Sequence, residues 1–286
     1  MAISPEAITQ AAISSFSQSD NPRLKQIMQS LVKHLHAFAQ ETKLTEAEWM
    51  AGIQFLTATG HKCDDVRQEF ILLSDTLGLS MLLVAMHDGA QSGATEATVL
   101  GPFHTPDAPA IASGSDLSNS APGEPLYVTG SVSSADGKPL AHARIDVWQA
   151  DAEGLYDVQR GELSGHRRAR GLIESDAEGN FSFWTVLPEA YPVPTDGPVG
   201  QMLVANGRHP WRPAHIHFLI EAKGYQPLVT HIFREGDRYL DTDVVFGVRP
   251  SLVGKFMPHT RGAAPDGREM AVDYWSMNYA FRLQAI

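Results

Sequence analysis

The sequence predicts a mostly β protein with an α-helical N-terminal part, in which a β-sandwich core follows a helical domain. Apolar residues recur at helical spacing from Asn21 to about Met86, and short alternating segments separated by turn signals follow Gly123. Between them, residues 101–123 are rich in Pro, Gly, Ser and Asp and have little periodicity. We therefore expect a helical domain at residues 1–100 and a β-sandwich domain at residues 101–286.

Several helices are expected before this connector. The first carries an apolar stripe, Thr45 and Glu48 form a capping box that opens the second, and the third begins near Asp65 and ends by Gly78. The segment LSMLLVAM that follows is apolar on all sides, so we expect it to be buried between helices or against a partner subunit. The stripe of the first helix consists of Leu24, Ile27, Met28, Leu31, Leu35 and Phe38.

The second half of the chain has the pattern of strands joined by turns. The segments LYVTGSVS and ARIDVWQA alternate apolar and polar residues, which favours half-buried strands. Asp136-Gly137 and Glu178-Gly179-Asn180 lie between such segments and favour tight hairpins. Together these signals predict the β-sandwich.

Charge and cysteine content limit the class of protein. The net charge of -11, from 22 basic and 33 acidic residues, argues against a nucleic-acid or anionic-membrane partner. Cys63 is the only cysteine, and the N-terminal residues lack a basic segment followed by an apolar run, so we expect a cytoplasmic protein. The most apolar stretch, Leu77 to Met86, is too short for a membrane span, which needs roughly 20 residues.

The segment RPAHIHF holds a candidate metal site. Because strand side chains alternate between faces, His215 and His217 project from one face with their Cα atoms roughly 6.5 Å apart. Two imidazoles at that spacing can converge on one ion, although surface or hydrogen-bonded histidines have the same pattern. His34 and His36 have the same spacing in a predicted helix, where they point in different directions and share no ligand.

Two tyrosines are candidate oxygen donors for the same ion. Tyr156 follows a strand and a DAEG turn, and Tyr191 opens the Pro- and Gly-rich loop YPVPTDGPVG. Tyrosines in such places also serve as packing residues. A phenol with a free pKa of about 10 binds as phenolate only beside a strongly Lewis-acidic centre, and ferric ion is the biological choice. The four side chains together therefore suggest a ferric site with room for water or substrate.

The chain resembles the intradiol ring-cleavage dioxygenases over nearly its whole length. The resemblance lies in the ordered segments LGPFHTPDAP, GKPLAHARIDVWQADAEGLYD, YPVPTDGPVG, WRPAHIHF and DVVFGV. It implies one Fe(III) per chain, with Arg212 beside a bound aromatic diol or triol that is opened with O2. It also implies a β-sandwich catalytic domain, a homodimer formed through the N-terminal helices, and room for a phospholipid in an apolar tunnel there. The implied iron ligands are Tyr156, Tyr191, His215 and His217.

Within the family, the chain is more similar to the hydroxyquinol 1,2-dioxygenases than to the catechol enzymes. His231 in VTHIF stands where catechol-type members usually carry Gln, and LLSDTLGLSMLL is similar to the hydroxyquinol group. Asp75 can accept a hydrogen bond from a third ring hydroxyl that catechol lacks; an intrahelical or surface role is the alternative. The implied substrate pocket consists of Leu72, Asp75, Val99, Leu100, Gly101, Pro102, Phe103, Val193, Pro194 and Val245.

A mechanistic hypothesis gives catalytic roles to three residues. Tyr191 leaves the iron when the diol binds and, together with bound hydroxide, takes up the phenolic protons. Arg212 stabilises negative charge on the ring, unless it only pins a loop or pairs with a carboxylate. His231 forms a hydrogen bond near the reacting face or is an ordinary strand histidine. Hydroxyquinol would give 3-hydroxy-cis,cis-muconate, the enol form of maleylacetate, and catechol would give cis,cis-muconate.

Two other classes of protein share part of the pattern. His215, His217 and Glu221 match the beginning of a cupin metal site, but His209 and Leu228 occupy positions where a cupin carries glycine. Alternatively, the apolar helices form a lipid or protein docking module on a metal-free sandwich. Stoichiometric iron separates the enzyme from the docking module, and the colour of an Fe(III)–phenolate separates it from a cupin.

Overall fold

The computed structural model describes residues 4–64, 67–87, 93–160 and 167–286. Helices come first and a β-rich part follows, which confirms the predicted fold class. The chain divides into two compact units, Met1–Ala58 and Thr59–Ile286. The domain boundary at residue 100, expected from the connector, remains a prediction. The expected start of the third helix, near Asp65, lies outside the described residues.

The helix ends follow local capping chemistry. Asn21 caps α2 because its Oδ1 accepts hydrogen bonds from the amides of Arg23 and Leu24. The capping box is confirmed, since Thr45 N donates to Glu48 Oε2 at 2.9 Å and Glu48 N donates to Thr45 Oγ1 at 3.3 Å. The helices are α1 (Pro5–Ser15), α2 (Pro22–Thr42), α3 (Glu46–His61), α4 (Glu69–Thr76), α5 (Leu79–His87) and α6 (Pro198–Ala205).

Helix α5 is the segment that we expected to be buried. Only Met81 is buried, whereas Leu82 and Met86 are 56% and 67% exposed. Burial between helices of one chain is therefore wrong, and burial against a partner subunit stays a prediction. In the described part of the chain, no single helix is long and apolar enough to cross a bilayer; α4 and α5 pass that test only together, and they are bent by 72° at their junction.

Two sheets enclose the core. One has the order β3-β2-β7-β8-β9, and the other has the order β10-β13-β1-β4. Their facing side chains, among them Val128, Ile145, Phe183 and Phe218, form one buried apolar cluster. The strands are β1 (Pro125–Ser134), β2 (Arg144–Gln149), β3 (Arg170–Glu174), β4 (Asn180–Val186), β5 (Tyr191–Pro192), β6 (Trp211–Arg212), β7 (His215–Glu221), β8 (Leu228–Arg234), β9 (Val253–Gly254), β10 (Phe256–His259), β11 (Gly262–Ala263), β12 (Glu269–Met270) and β13 (Tyr274–Leu283).

The two predicted hairpin turns form, but the strands that they connect lie in different sheets. Gly137 has a φ of 90°, and Asp176 N donates to Asn180 O at 2.9 Å, as tight turns require. However, β1 and β4 belong to the four-stranded sheet, whereas β2 and β3 belong to the five-stranded one. At Asp136-Gly137 the chain folds back only over a short hairpin, in which Ser133 pairs with Pro139 and Leu140 N donates to Val132 O at 2.9 Å. The prediction is wrong for the long strands, because the chain passes from one layer to the other beyond each turn.

Strand β2 is buried on both faces instead of one. Ile145 and Val147 point into the core, while Asp146 and Trp148 on the opposite face are also buried. That opposite face is covered by polar and aromatic side chains from several loops, including Tyr156 and Phe103. The five-stranded sheet therefore supports a second buried layer, which contains the candidate site.

Candidate metal centre

A row of four side chains crosses the five-stranded sheet and forms the floor of the site. Arg170 on β3 is paired with Trp148 on β2, Trp148 with His217 on β7, and His217 with His231 on β8. Directly paired residues on neighbouring strands project from the same face. His215 lies two residues before His217 and joins them from the same side, as strand parity predicts.

Three potential ligand atoms converge at this floor. His215 Nε2 and His217 Nε2 are 3.1 Å apart. Tyr156 Oη lies 2.8 Å from His217 Nε2 and 3.4 Å from His215 Nε2. Two donor atoms that each lie about 2.0–2.1 Å from a shared ion, with an angle at the ion between 90° and the tetrahedral value, are roughly 2.8–3.4 Å apart. The three atoms thus have the mutual distances that a common metal ion requires.

The two tyrosines are positioned by adjacent loops. Tyr156 follows a turn in which the Asp151 carboxylate accepts the amide of Leu155, and its own amide donates to Gln159 Oε1 at 2.9 Å. Gly154 in that turn has a φ of 72°, and a Cβ there would lie 3.3 Å from Tyr191 Cβ. The glycine therefore allows the first loop to pack directly on the second. The two tyrosine rings meet edge to face, with centroids 5.1 Å apart.

Arg212 is a buried cation beside these groups. It is 3% exposed, and its Nη1 lies 3.4 Å from Tyr191 Oη and 3.3 Å from His215 Nε2. Its Nε donates to Asp243 Oδ1 at 3.1 Å. Burial alone acts to lower the pKa of Arg212, but the charges of Asp243 and Tyr191 outweigh it and raise the pKa further. Arg212 thus both pairs with a carboxylate and contacts the site, so the two interpretations of this residue are not exclusive.

The donor set suits a Lewis-acidic cation. Burial, reinforced by Arg212, lowers the pKa of His215 well below 6.5, and burial does the same for His217, so both rings are neutral and have lone pairs for a metal. Burial, the charge of Tyr191 and a hydrogen bond with Tyr191 raise the pKa of Tyr156 well above 10. Without a strong cation Tyr156 stays a phenol. The two neutral imidazoles and the Tyr156 phenol therefore suit an ion that is strong enough to displace the phenol proton.

Sequence reasoning gave His231 a catalytic role only, yet it also lies within reach of the same ion. The potential ligand atoms of His215, His217 and His231 all lie within 4.8 Å of one another. His231 Nδ1 is 3.4 Å from Arg212 Nη2, and its buried Nε2 has no hydrogen-bond partner among the described residues. A centre held by three histidines is therefore the structural alternative to the centre with two tyrosines and two histidines.

Sequence reasoning also missed two residues of the floor. Trp148 is fully buried and stacks on His217. Arg170 is 1% exposed, and its Nη2 lies 2.7 Å from Oδ1 of Asp157, the residue after Tyr156. Its guanidinium also donates to Phe103 O at 2.8 Å. Trp148 stands in a predicted strand, whereas no strand was predicted around Arg170. Only the pairing register shows that Trp148 lies beside His217 and Arg170 beside Trp148.

Most of the expected substrate pocket surrounds this centre. Phe103 stacks on Tyr156 at 4.5 Å, and a Cβ on Gly101 would lie 3.1 Å from His217 Cε1. The backbone of Val99 lies near the His231 ring and acts to raise the pKa of that histidine, against the larger effect of burial. Val245 N donates to Asp243 Oδ1. Leu72, Pro102, Phe103 and Pro194 line one cavity of about 230 Å³ together with Arg67, Gln68, Glu69, Val158 and Gln159.

The remaining pocket residues differ in their exposure to solvent. Asp75 is 5% exposed; burial raises its pKa, against a hydrogen bond from Ser80 and the charge of Arg212. Its side chain is therefore inside the protein near Arg212, which excludes a surface role. Val193 is buried, whereas Leu100 is 41% exposed.

The cupin alternative is not supported by the position of Glu221. Its side chain is 48% exposed at the far end of β7, where it lies 3.8 Å from Arg144. It therefore does not join His215 and His217, although it shares their strand parity.

Comparisons with known proteins find matches over most of the chain. The family model described as "Dioxygenase" matches residues 100–285, and the model described as "Catechol dioxygenase N terminus" matches residues 21–95. A 6-chlorohydroxyquinol 1,2-dioxygenase of Cupriavidus pinatubonensis is 57% identical over 255 residues, which cover 89% of this chain and 92% of the relative. A hydroxyquinol 1,2-dioxygenase of Nocardioides simplex is 51% identical, covering 92% and 89% of the two chains.

Solved structures give the same result for the fold. The structure of hydroxyquinol 1,2-dioxygenase from Pseudomonas putida DLL-E4 superposes with a TM-score of 0.92 at 48% identity and covers 99% of both chains. The structure of catechol 1,2-dioxygenase from an Acinetobacter species has a TM-score of 0.85 at 29% identity, with 99% and 93% coverage. The likeness therefore extends over the helical and the β-rich parts.

Proposed function

The chain belongs to the intradiol ring-cleavage dioxygenase family, and from that membership we propose that it opens hydroxyquinol, benzene-1,2,4-triol, with O2. The bond between the two adjacent hydroxyl-bearing carbons breaks, and both atoms of O2 enter the product, 3-hydroxy-cis,cis-muconate, which tautomerises to maleylacetate. The observation that carries the proposal is the convergence of Tyr156 Oη with His215 Nε2 and His217 Nε2 beside a buried arginine. Relatives named for hydroxyquinol support the choice of substrate.

The cofactor is one Fe(III) per chain, held by Tyr156, Tyr191, His215 and His217. When bound, the ferric ion accepts the two adjacent hydroxyl oxygens of the substrate and makes the ring reactive toward O2. The protein supplies two neutral imidazoles and the Tyr156 phenol, whose proton the ion would displace. Because this phenol must lose its proton, iron binding is expected to become stronger as the pH rises.

Tyr191 accepts a proton at the site, and Arg212 stabilises negative charge there. Tyr191 would help to hold the iron and would be the base whose Oη takes up a phenolic proton of the substrate, and Arg212 Nη1 lies 3.4 Å from that oxygen as a donor. Arg212 stays cationic because Asp243 faces it, and it lies within reach of negative charge on the ring. His231 is a neutral imidazole that forms a hydrogen bond with the substrate on the same side.

Asp75 and the apolar walls select the ring. The buried Asp75 carboxylate accepts a hydrogen bond from the third hydroxyl of the triol, which catechol does not carry. Leu72, Val99, Phe103, Pro194 and their neighbours exclude water from the reacting face. A site built to bond a hydroxyl discriminates against the analogue that lacks it, because the polar group is then left unpaired.

Oxygen uptake with a panel of substrates tests the proposal. The purified protein, with bound iron measured per chain, is given hydroxyquinol, 6-chlorohydroxyquinol and catechol, and the oxygen consumed per substrate is recorded. We expect one O2 per ring opened and a higher kcat/KM for the triols than for catechol. Much faster turnover of catechol would overturn the substrate assignment but leave the iron chemistry intact. Ring opening without bound iron would overturn the mechanism.

A chlorinated triol is the second candidate substrate, and one observation favours it. The relative from Cupriavidus pinatubonensis, named for 6-chlorohydroxyquinol, is 57% identical to this chain. The ratio of kcat/KM values for the two triols in the same panel distinguishes the candidates.

The assembly is a homodimer in the cytoplasm, formed through the N-terminal helices. Exposed apolar side chains support this proposal: Leu24, Ile27, Leu31, Leu35 and Phe38 on α2 are each 46–54% exposed. A phospholipid is the further ligand proposed among these helices. Sedimentation of the protein with and without lipid extraction tests both statements, and a monomer that yields no phosphorus would overturn them.

A further inference from the structure

Helices α4 and α6 are joined at both ends. At the first end, Glu69 Oε1 accepts a hydrogen bond from Val199 N in the first turn of α6 at 3.2 Å. At the other end, Arg208, which follows α6, donates from Nη1 to Thr76 O, the last residue of α4, at 2.5 Å. Glu69 is fully buried, so this connection is shielded from solvent. The position of α4 is therefore fixed by two side chains outside the metal centre.

Arg208 also forms a hydrogen bond to a second segment near the site, the turn that contains Asp243 and Val244. Its Nη2 donates to Val244 O at 2.9 Å, while its own amide donates to Leu203 O at 2.9 Å. Val244 belongs to the turn in which Asp243 holds Arg212 and accepts the amide of Gly247 at 2.9 Å. One guanidinium thus links the end of α4 to the turn that orients Arg212.

Arg208, Phe246 and Gly78 meet at the joint between α4 and this turn, where Phe246 is 50% exposed. Arg208 lies over the ring of Phe246, with 5.2 Å from Cζ to the ring centroid. Phe246 has a φ of 60°, and a Cβ on Gly78 would lie 3.2 Å from the same ring. A bulky residue in the left-handed region is strained and persists only where its surroundings fix it. The turn therefore has little freedom to move relative to the end of α4.

We propose that Arg208 is a positioning residue that sets the substrate selectivity of the site, by holding Asp75 at a fixed distance from Arg212. Asp75 directly precedes Thr76, so the bond to Thr76 O controls where this carboxylate stands. A misplacement of about 1 Å in an active site costs as much as ~100-fold in rate. Loss of the link affects a triol, which needs Asp75, more than catechol, which does not. The inference rests on the proposed function.

The selectivity of Arg208 variants tests it. Arg208→Lys keeps the charge but cannot hold both carbonyls in the geometry of a planar guanidinium, and Arg208→Met removes both bonds. The matched control is Arg268→Met, which removes another partly exposed arginine that lies over an aromatic ring, that of Trp184 at 4.9 Å, on the other sheet. For each iron-loaded protein we measure kcat/KM for hydroxyquinol and for catechol, and hydrogen exchange of the α4 amides.

In both Arg208 variants we expect the ratio of the two kcat/KM values to fall roughly tenfold or more, with faster exchange in α4, and neither change in Arg268→Met. Simple destabilisation would lower both activities together and leave the ratio unchanged, which would overturn the inference. If the Arg208 variants do not fold, Phe246→Leu is measured instead and must lower the ratio of kcat/KM for hydroxyquinol to that for catechol. An unchanged ratio in Phe246→Leu would also overturn the inference. The wild-type ratio tests the proposed substrate, whereas the change between variant and wild type tests Arg208.

Discussion

The indole of Trp148 lies flat on the imidazole of His217, with ring centroids 4.7 Å apart and planes inclined by 16°. His217 Nδ1 is buried without a hydrogen-bond partner among the described residues, whereas His215 Nδ1 bonds Pro213 O at 2.7 Å. A metal-binding histidine is usually oriented by a bond from its second nitrogen. Here the stacked indole orients His217 instead.

Trp148 variants separate this orienting role from simple packing. Trp148→Phe and Trp148→Leu both leave a cavity and lower the free energy of unfolding, but only phenylalanine keeps a ring against His217. An aromatic stack contributes about 0.5–1.5 kcal/mol, so iron should dissociate roughly twofold to twelvefold faster from the leucine variant than from the phenylalanine variant. Transfer of iron to a chelator measures this rate. Equal rates in the two variants would show that the ring does not orient His217.

Gly101 supports His217 from another side. Its φ is 77°, and a Cβ would lie 3.1 Å from His217 Cε1, so Gly101→Ala adds backbone strain and displaces the ligand. Gly137→Ala is the matched control, because Gly137 has a φ of 90° with no atom within 4 Å of a Cβ. Both variants should lose about 1–2 kcal/mol of stability in urea unfolding. Only Gly101→Ala should bind less iron per chain. A normal iron content in Gly101→Ala would show that a side chain at this position does not displace His217.

The buried pair of Arg170 and Asp157 is expected to be important for stability. Their side chains are 0% and 2% exposed and lie 2.7 Å apart. Arg170→Met leaves the buried Asp157 carboxylate with only a more distant cation, Arg167, whose Nη1 lies 4.0 Å from Asp157 Oδ2, and should cost about 3–5 kcal/mol in urea unfolding. Adding Asp157→Leu removes this buried charge, so the double variant should be more stable than Arg170→Met alone. If the second change lowers stability further, the pair is not the source of the loss.

The metal-free protein should lose stability as the pH falls below about 6.5. Burial holds the pKa values of His215, His217 and His231 well below 6.5, so below that pH the unfolded chain binds protons that the folded chain does not. Each such histidine contributes about 1.4 kcal/mol per pH unit in this window. His231→Gln should reduce the slope of unfolding free energy against pH by about that amount. An unchanged slope would mean that His231 is protonated in the folded state.

The residues of this site differ in how far the sequence could predict them. Strand parity was enough to bring His215 and His217 to one face, because alternation is a local property of the backbone. The row from Arg170 through Trp148 to His231 depends on the register between four strands, which is set by contacts between residues far apart in the chain. No local pattern at Trp148 or Arg170 reveals that neighbourhood.

The turns illustrate the same limit. Asp136-Gly137 and Glu178-Gly179-Asn180 were correctly predicted to form turns, since positive φ and side-chain hydrogen bonds are local preferences. Whether the strands after a turn pair with each other depends on which sheet buries their apolar face. The exposure of α5 has a related cause, because an apolar helix does not indicate by itself whether its own chain or a second copy covers it.

The visible spectrum of iron-loaded Tyr156→Phe shows whether a tyrosinate binds the iron. The wild type should hold one iron per chain and show the phenolate-to-Fe(III) charge-transfer absorption that makes it coloured. Tyr156→Phe should lose much of that absorption per iron, whereas the control Tyr127→Phe, which alters a buried tyrosine beside Trp184, should keep it. If the absorption per iron is unchanged in Tyr156→Phe, or if the iron-loaded wild type has no colour, Tyr156 does not bind the iron as a phenolate. Either result would favour a centre held by His215, His217 and His231.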